Sequence, residues 1–342
     1  MPQTRNGRLA ATKGSVGEIR LKTGGGSSKN RSRSGNVNTD TGPGRSAGQE
    51  TGHRIPASGG DRRAGEQSAF RGHPSGNFTD NAAGIRNLRH FLDFDIRIRR
   101  VAGFRRLVRP QALFEIDGLR PFEPQPAENA FPSYEWGLNW CIATSAHRYL
   151  MLHAGTVALG ESGMILPGHP GSGKSTLSAA LCLRGARLLS DEFGLLRPES
   201  VELLPMPRGI PLKNASIEAI QEFDGAASLG PTYPKTRKGR VRHLRPDAQS
   251  LRQQQVPAVP RWLIFPKYRA GAAESLRPLD ETDAFRQLAY NCFNYKLLGE
   301  TAFRAVGQLV RQMDCYSFTF SRLDRAVEQL MALAAEDPAA AG

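Results

Sequence analysis

The residues with the most chemical content stand together at Gly168, His169, Pro170, Gly171, Ser172, Gly173, Lys174, Ser175 and Thr176. Spaced as G-x-x-x-x-G-K-S, they have the pattern of a phosphate-binding loop. Glycines let successive backbone N–H groups turn toward one anion. Lys174 is placed to reach the outer phosphates of a nucleotide, and the Ser175 hydroxyl to ligate Mg2+. Two further groups belong with this loop by position. Residues 186–192 read as a short strand ending in two acids, Asp191 and Glu192, one crossover helix after Lys174. Phosphoryl-transfer sites require a carboxylate at such a strand end, beside the metal. His153 lies one hairpin upstream of the loop. A lone strand histidine is commonly structural, so its position leaves a structural and a functional role both open.

These groups need elements to hold them. Residues 163–167 are apolar and short, as a buried strand requires, and residues 175–184 carry Leu177, Leu181 and Arg184 at helical spacing before Gly185, a natural helix stop. Residues 149–159 form a preceding strand, joined to the next by a turn at 160–163. Upstream, residues 91–99 alternate apolar and polar, as a half-exposed strand does, and 113–116 can pair with them across Arg109-Pro110. Residues 121–132 read as a proline-rich connector, and 134–149 as a helix with Trp136 and Trp140 as core anchors. Downstream, 224–240 is polar and reads as a mobile surface loop. A basic cluster at 235–242 is either solvated or set to meet phosphates or a partner's acidic groups. Residues 261–266 are apolar enough for a sheet centre. Helices are expected near 282–293, 300–313 and 323–335, with a strand at 315–320 whose Tyr316, Phe318 and Phe320 share a buried face.

Composition limits the alternatives. The chain has 342 residues and a net charge of +14, but residues 1–80 hold 13 Lys and Arg against 6 Asp and Glu, so half the excess sits in the first quarter. That quarter also holds 16 of the 36 glycines and few large apolar residues. Residues 1–83 therefore read as a disordered basic tail, followed by a small β-rich region at 84–132 and a catalytic domain at 133–336. The remaining charge is mild, so nucleic acid is not an expected partner. Cys141, Cys182, Cys292 and Cys315 lie in apolar contexts without CxxC spacing and read as free thiols. This fits a cytoplasmic protein, with no membrane span and no secretory signal expected.

The segment from about 131 to 330 resembles the HPr serine kinase/phosphorylase superfamily, and within it the group called HprK-related kinase A. The resemblance rests on residues 135–142 (Glu-Trp-Gly-Leu-Asn-Trp-Cys-Ile), His153, the loop 168–175, and residues 184–192 (Arg-Gly-Ala-Arg-Leu-Leu-Ser-Asp-Glu). It implies an α/β fold of the phosphoenolpyruvate-carboxykinase type with a mixed sheet. It also implies ATP- and Mg2+-dependent phosphorylation of a hydroxyl on a protein, peptide or small molecule. By the same resemblance Asp191 acts as base, Glu192 supports the metal or partner arginines, and His153 lies near the reacting groups. The family's E-I-R-G-L-G motif has its nearest counterpart in Met206-Pro-Arg208-Gly209, so Arg208 is retained while Met206 replaces a metal-supporting glutamate. The reverse, phosphorolytic reaction, the HPr substrate and the family's hexamer are therefore not carried over, and a homo-oligomer stays open. A P-loop ATPase and a non-catalytic nucleotide-binding module are the rival readings.

Overall fold

The structure, a computed structural model, describes residues 18–21, 94–104 and 107–340. An N-terminal antiparallel sheet comprises β1 (Glu18–Leu21), β2 (Phe94–Arg100), β3 (Gln111–Ile116) and β4 (Gln125–Pro126), in that order. Ile96 pairs with Ile116, and Arg100 with Ala112, as the alternating pattern requires. β1 falls inside the stretch expected to lack order. Its backbone pairs with the free edge of β2, which any extended segment can extend. The rest of 1–83, and 91–93 of the predicted strand, lie outside the described residues.

Helix α1 (Ala130–Ser145) starts four residues earlier than expected. Pro132 sits in its first turn, where a missing N–H costs nothing, so the proline-rich connector ends sooner. Neither Trp136 nor Trp140 anchors a core. Trp136 is half-buried and Trp140 is 39% exposed, whereas Trp262, in the apolar strand downstream, is 1% exposed. The helix packs through Tyr134, Leu138, Cys141 and Ile142 against Ile96, Phe114, Met151 and Phe193. A Cβ at Gly137 would fall within 1.9 Å of the Phe114 ring, so the glycine sets how closely helix and sheet approach.

The chain then enters a larger mixed sheet through the hairpin β5 (Leu150–Leu159) and β6 (Ser162–Pro167). Helix α2 (Lys174–Leu183) follows, then β7 (Arg187–Ser190), β8 (Phe193–Leu196) and β9 (Leu203–Leu204). A second small sheet holds β10 (Ile210–Lys213), β11 (Tyr233–Thr236) and β12 (Gly239–Leu244), with α3 (Ala215–Phe223) after β10. Thus part of the expected mobile loop is a hairpin. Gly239, at φ +85°, supplies the left-handed residue at its turn. After α4 (Ala248–Arg252) come β13 (Val259–Tyr268), β14 (Ser275–Pro278), α5 (Glu281–Tyr290), α6 (Tyr295–Leu298), α7 (Glu300–Gln312), β15 (Asp314–Phe320) and α8 (Leu323–Ala335).

The sheet order is β14-β15-β13-β6-β5-β8-β9, with β7 also on β5. β13 runs parallel to both β6 and β15, and the other pairings are antiparallel. The architecture is therefore α/β with a mixed sheet. Helices cover both faces. On one, Leu177, Leu181, Ile217, Ile220, Val327 and Leu330 meet Trp262 and Phe318; on the other, Leu288, Val306 and Leu309 meet Ile165, Leu263 and Phe265. Phe318 and Phe320 are buried, as the alternation in β15 predicts, while Tyr316 is only partly so. All four cysteines are free. Among the described residues no helix is long and apolar enough to cross a membrane.

Candidate active site

Strand β5 gathers the site, and three residues near its middle do most of the positioning. On one edge it pairs with β6 only as far as Ala154, opposite Pro167. There β6 ends and the glycine loop begins. Beyond that point the same edge is taken by the segment after α5: the His153 N–H donates to the Asn291 carbonyl at 2.6 Å, and the Phe293 N–H to the Met151 carbonyl at 2.8 Å. The other edge carries β7 and β8 in succession. Thr156 pairs with Ser190 and His153 with Phe193, so Asp191 and Glu192 occupy the break opposite Ala154 and Gly155. The expected strand end is thus a kink between two collinear strands. His153, the glycine loop and the paired acids converge because one strand borders all three.

The loop owes its shape to its glycines. Gly171 and Gly173 have φ of +87° and +89°, which residues with a Cβ adopt at a cost of about 1–2 kcal/mol. A Cβ at Gly173 would also lie 2.8 Å from the Phe320 ring. A Cβ at Gly168 would meet Ser172 Oγ at 2.5 Å. The Ser172 N–H donates to the His169 carbonyl at 3.1 Å, and the Tyr268 N–H ties the loop to β13 through the Ser172 carbonyl at 3.0 Å. Lys174 opens α2, with Ser175 and Thr176 half-buried in its first turn, so the positive end of the helix dipole faces the loop. His169 and Pro170 are exposed, and the His169 ring stands edge-on to Tyr290 at 5.6 Å.

Lys174 is buried, and its ammonium donates to His153 Nε2 at 3.1 Å. Burial, then the repulsion of Lys174, lowers the His153 pKa to about 4. His153 is therefore neutral near pH 7 and acts as a hydrogen-bond acceptor that fixes the lysine. A group so acidic in its protonated form is a poor proton acceptor at that pH.

Asp191 is buried, and neither carboxylate oxygen has a hydrogen-bond partner in good geometry among the described residues. Desolvation raises its pKa to about 7, against the opposing pull of Lys174, the nearby Ser175 hydroxyl and Lys213. A buried acid that titrates near neutrality is suited to accept a proton. Gly155 lets α2 come close to β5 beside it. A Cβ there would sit 2.2 Å from Ser178 Oγ of α2 and 3.5 Å from Asp191 Oδ1. Glu192 is half-buried beside it and lines a cleft with Glu135, Trp136, Asn139, Lys213 and Lys238.

Arg208 has an Nη1 that is buried without a hydrogen-bond partner among the described residues. Desolvation lowers its pKa, and the nearby Glu135, Glu192, Tyr134 and Asp191 oppose that shift. Met206 turns its N–H to the Leu189 carbonyl at 2.7 Å and packs into the core around α1. Four participants went unassigned in the sequence: Gly155, Glu135, Lys213 and His243. Glu135 accepts from His243 Nε2 at 2.9 Å, tying α1 to β12 across 108 residues. Burial lowers the Lys213 pKa, helped by Lys238, while Glu192 and Asp191 oppose it. None of these four has a spacing that marks it. The nearest signals are residues 135–142, which Glu135 opens, and Met206-Pro-Arg208-Gly209, shortly before Lys213.

Among the described residues no group of three His, Cys, Asp or Glu side chains could hold a metal ion by itself. Magnesium does not require one, since it keeps waters and takes one or two carboxylates beside phosphate oxygens. No known protein-family model matches the chain, and no curated protein matches it by sequence.

Proposed function

We propose that this chain is an ATP- and Mg2+-dependent kinase that phosphorylates a hydroxyl, with a P-loop domain similar to that of HPr serine kinases. The observation that carries the reading is the placement of Asp191. A buried, unpartnered carboxylate poised near neutrality stands next to a buried lysine at the N-terminus of the helix that follows a glycine loop. Isolated burial of such a group is costly, and a bound cation or an acceptor hydroxyl removes the cost.

The residues present suit a magnesium nucleotide. Backbone N–H groups of 171–175 and the α2 dipole favour phosphate oxygens, and Lys174 neutralises charge on the transferred group. Ser175 and Asp191 or Glu192 would hold Mg2+, which supplies charge neutralisation between the outer phosphates when bound. His153 keeps the Lys174 ammonium aimed at the loop. Asp191 orients an incoming hydroxyl and takes its proton, a role its elevated pKa suits. Arg208, close to both acids, can stabilise negative charge on the bound nucleotide beside them.

The test is incubation of the purified full chain with γ-labelled ATP and Mg2+ against a panel of serine- and threonine-bearing peptides, proteins and hydroxyl metabolites, with Asp191→Asn as control. Label moving to an acceptor in the wild type, and not in the control, supports the kinase. Free labelled phosphate with every acceptor unlabelled indicates hydrolysis instead. Nucleotide binding without turnover indicates a non-catalytic module.

A further inference from the structure

The hairpin β11–β12 forms one wall of the cleft beside Glu192, and its charges are unbalanced. Lys235, Arg237 and Lys238 are exposed at or beside its turn, and none of them is within ion-pair distance of a carboxylate among the described residues. Arg240, also on the hairpin, is already matched, to Glu218 at 2.5 Å. Facing this rim, Lys213 is half-buried at the end of β10 and likewise has no ion-pair partner among the described residues. Lys213 and Lys238 line the same cleft, close enough for each to repel the other.

Of the two acids of the cleft, one is bonded to a partner among the described residues and the other is not. Glu135 is bonded to His243 at 2.9 Å, with Arg208 nearby, and Glu192 lies close to Arg208 and Lys213. Asn139 adds a buried Oδ1 without a hydrogen-bond partner among the described residues, and Trp136 an apolar wall. Glu192, the residue after Asp191, lines the cleft, and none of the glycine-loop residues does. Two unpaired cations lining the cleft, continued by two more along the hairpin, are an electrostatic match for an anion on the acceptor.

We infer that this cleft is the acceptor site and that it selects a hydroxyl flanked by carboxylates within an acidic peptide segment, the hydroxyl at Asp191 and the carboxylates on Lys213, Lys238 and the hairpin rim. A peptide fits better than a lone small anion because the unpaired cations continue from inside the cleft out along the hairpin over several residues. This rests on the kinase reading for the chemistry, though not for the binding.

The experiment therefore separates the two. The full chain, with Mg2+ and a non-hydrolysable ATP analogue, is titrated calorimetrically with capped peptides in which one serine is flanked by Asp, by Ala or by Lys. Parallel arms use a small hydroxy acid, inorganic phosphate and a single-stranded oligonucleotide. The acidic peptide should bind at least tenfold more tightly than the neutral one. Lys238→Glu should reverse the order, so that the lysine-flanked peptide binds better than the acidic one. Lys213→Met should weaken the acidic peptide without reversing the order. Equal binding of all three peptides, preference for the oligonucleotide or for the small anions over the acidic peptide, or unchanged selectivity in Lys238→Glu would each overturn the inference. A loss of nucleotide affinity in Lys238→Glu as large as the loss of the acidic peptide would also overturn it, since the lysines would then serve the nucleotide. Selective binding of the acidic peptide without labelling of any acceptor leaves the cleft assignment standing and removes the kinase reading. Labelling of neutral acceptors does the reverse.

Discussion

Replacing Asp191 by asparagine should abolish phosphoryl transfer and at the same time stabilise the fold. Burial raises the Asp191 pKa from 3.8 to about 7. For an acid with a raised folded-state pKa, the folded chain holds a proton that the unfolded chain has lost, so stability falls as pH rises between the two values. Below 3.8 both states are protonated and nothing is lost. Near pH 7 the loss is essentially complete, and three units at about 1.36 kcal/mol each come to about 4 kcal/mol. Because the group is fully buried, screening by solvent takes little from this. Asparagine has nearly the same shape and never ionises, so Asp191→Asn should be about 4 kcal/mol more stable than wild type near pH 7 and nearly equal to it near pH 4. For a domain of this size that is on the order of 10 °C in melting temperature. His153, whose lowered pKa makes stability fall as pH drops below 6.5 toward about 4, is present in both proteins and drops out of the difference. The measurement is denaturant unfolding of both proteins at several pH values from 4 to 8, without nucleotide. With Mg2+ and ATP bound the gap should shrink, as the wild-type carboxylate gains its counter-charge. In the wild type alone, kcat/KM for transfer should rise with pH toward about 7 as Asp191 of the free enzyme loses its proton, and kcat should rise at lower pH. A pH-independent difference, or a less stable variant at pH 7, would refute the assignment of Asp191 as a buried acid whose desolvation outweighs its nearby cations.

Lys174→Ala should lower transfer by about 3 kcal/mol or more, over a hundredfold, by removing charge stabilisation in the transition state. The same change should raise the His153 pKa above about 4, which a histidine NMR titration reads directly, because its nearest cation is gone. Gly155→Ala should destabilise the fold by about 1–3 kcal/mol, since its Cβ would lie 2.2 Å from Ser178 Oγ. Ser178→Ala in the same chain should restore most of that loss, leaving the nearest contacts at 3.5 Å, and a strictly additive double-mutant cycle would contradict the packing. Gly173→Ala should reduce affinity for a fluorescent ATP analogue at least tenfold. A positive φ and the Phe320 ring both oppose its Cβ, at about 1–2 kcal/mol for the backbone alone.

Local patterns predicted the elements well where one face of a helix or strand is buried. The β5–β6 hairpin, α2 with its Gly185 stop, β13 at the sheet centre, and the sequence α7–β15–α8 are all legible from period and turn chemistry. The misreadings have a common cause. Trp136 and Trp140 carry core-like side chains on a helix whose buried stripe lies at Tyr134, Leu138, Cys141 and Ile142, and only the partner surface decides which stripe is covered. Residues 224–240 are polar because their hairpin packs on the side of the molecule and satisfies backbone groups strand to strand, a pattern that leaves no apolar alternation to detect.

By itself, then, the sequence determined the loop, its lysine, the helix behind it and the acids one crossover later, because chemistry and local geometry demand those residue types at those spacings. The tertiary structure alone decided what these groups do to one another. β5 runs between β6 and the β7–β8 pair, and that topology sets His153 on Lys174 and Asp191 over Gly155. Whether a histidine is neutral or an acid titrates near pH 7 depends on burial and on charges brought in from distant parts of the chain. Glu135, Lys213 and Lys238 line the same cleft from three separate elements, and Arg208 comes close to its acids. No period or motif encodes that meeting, since long-range charge is summed in space and not along the chain.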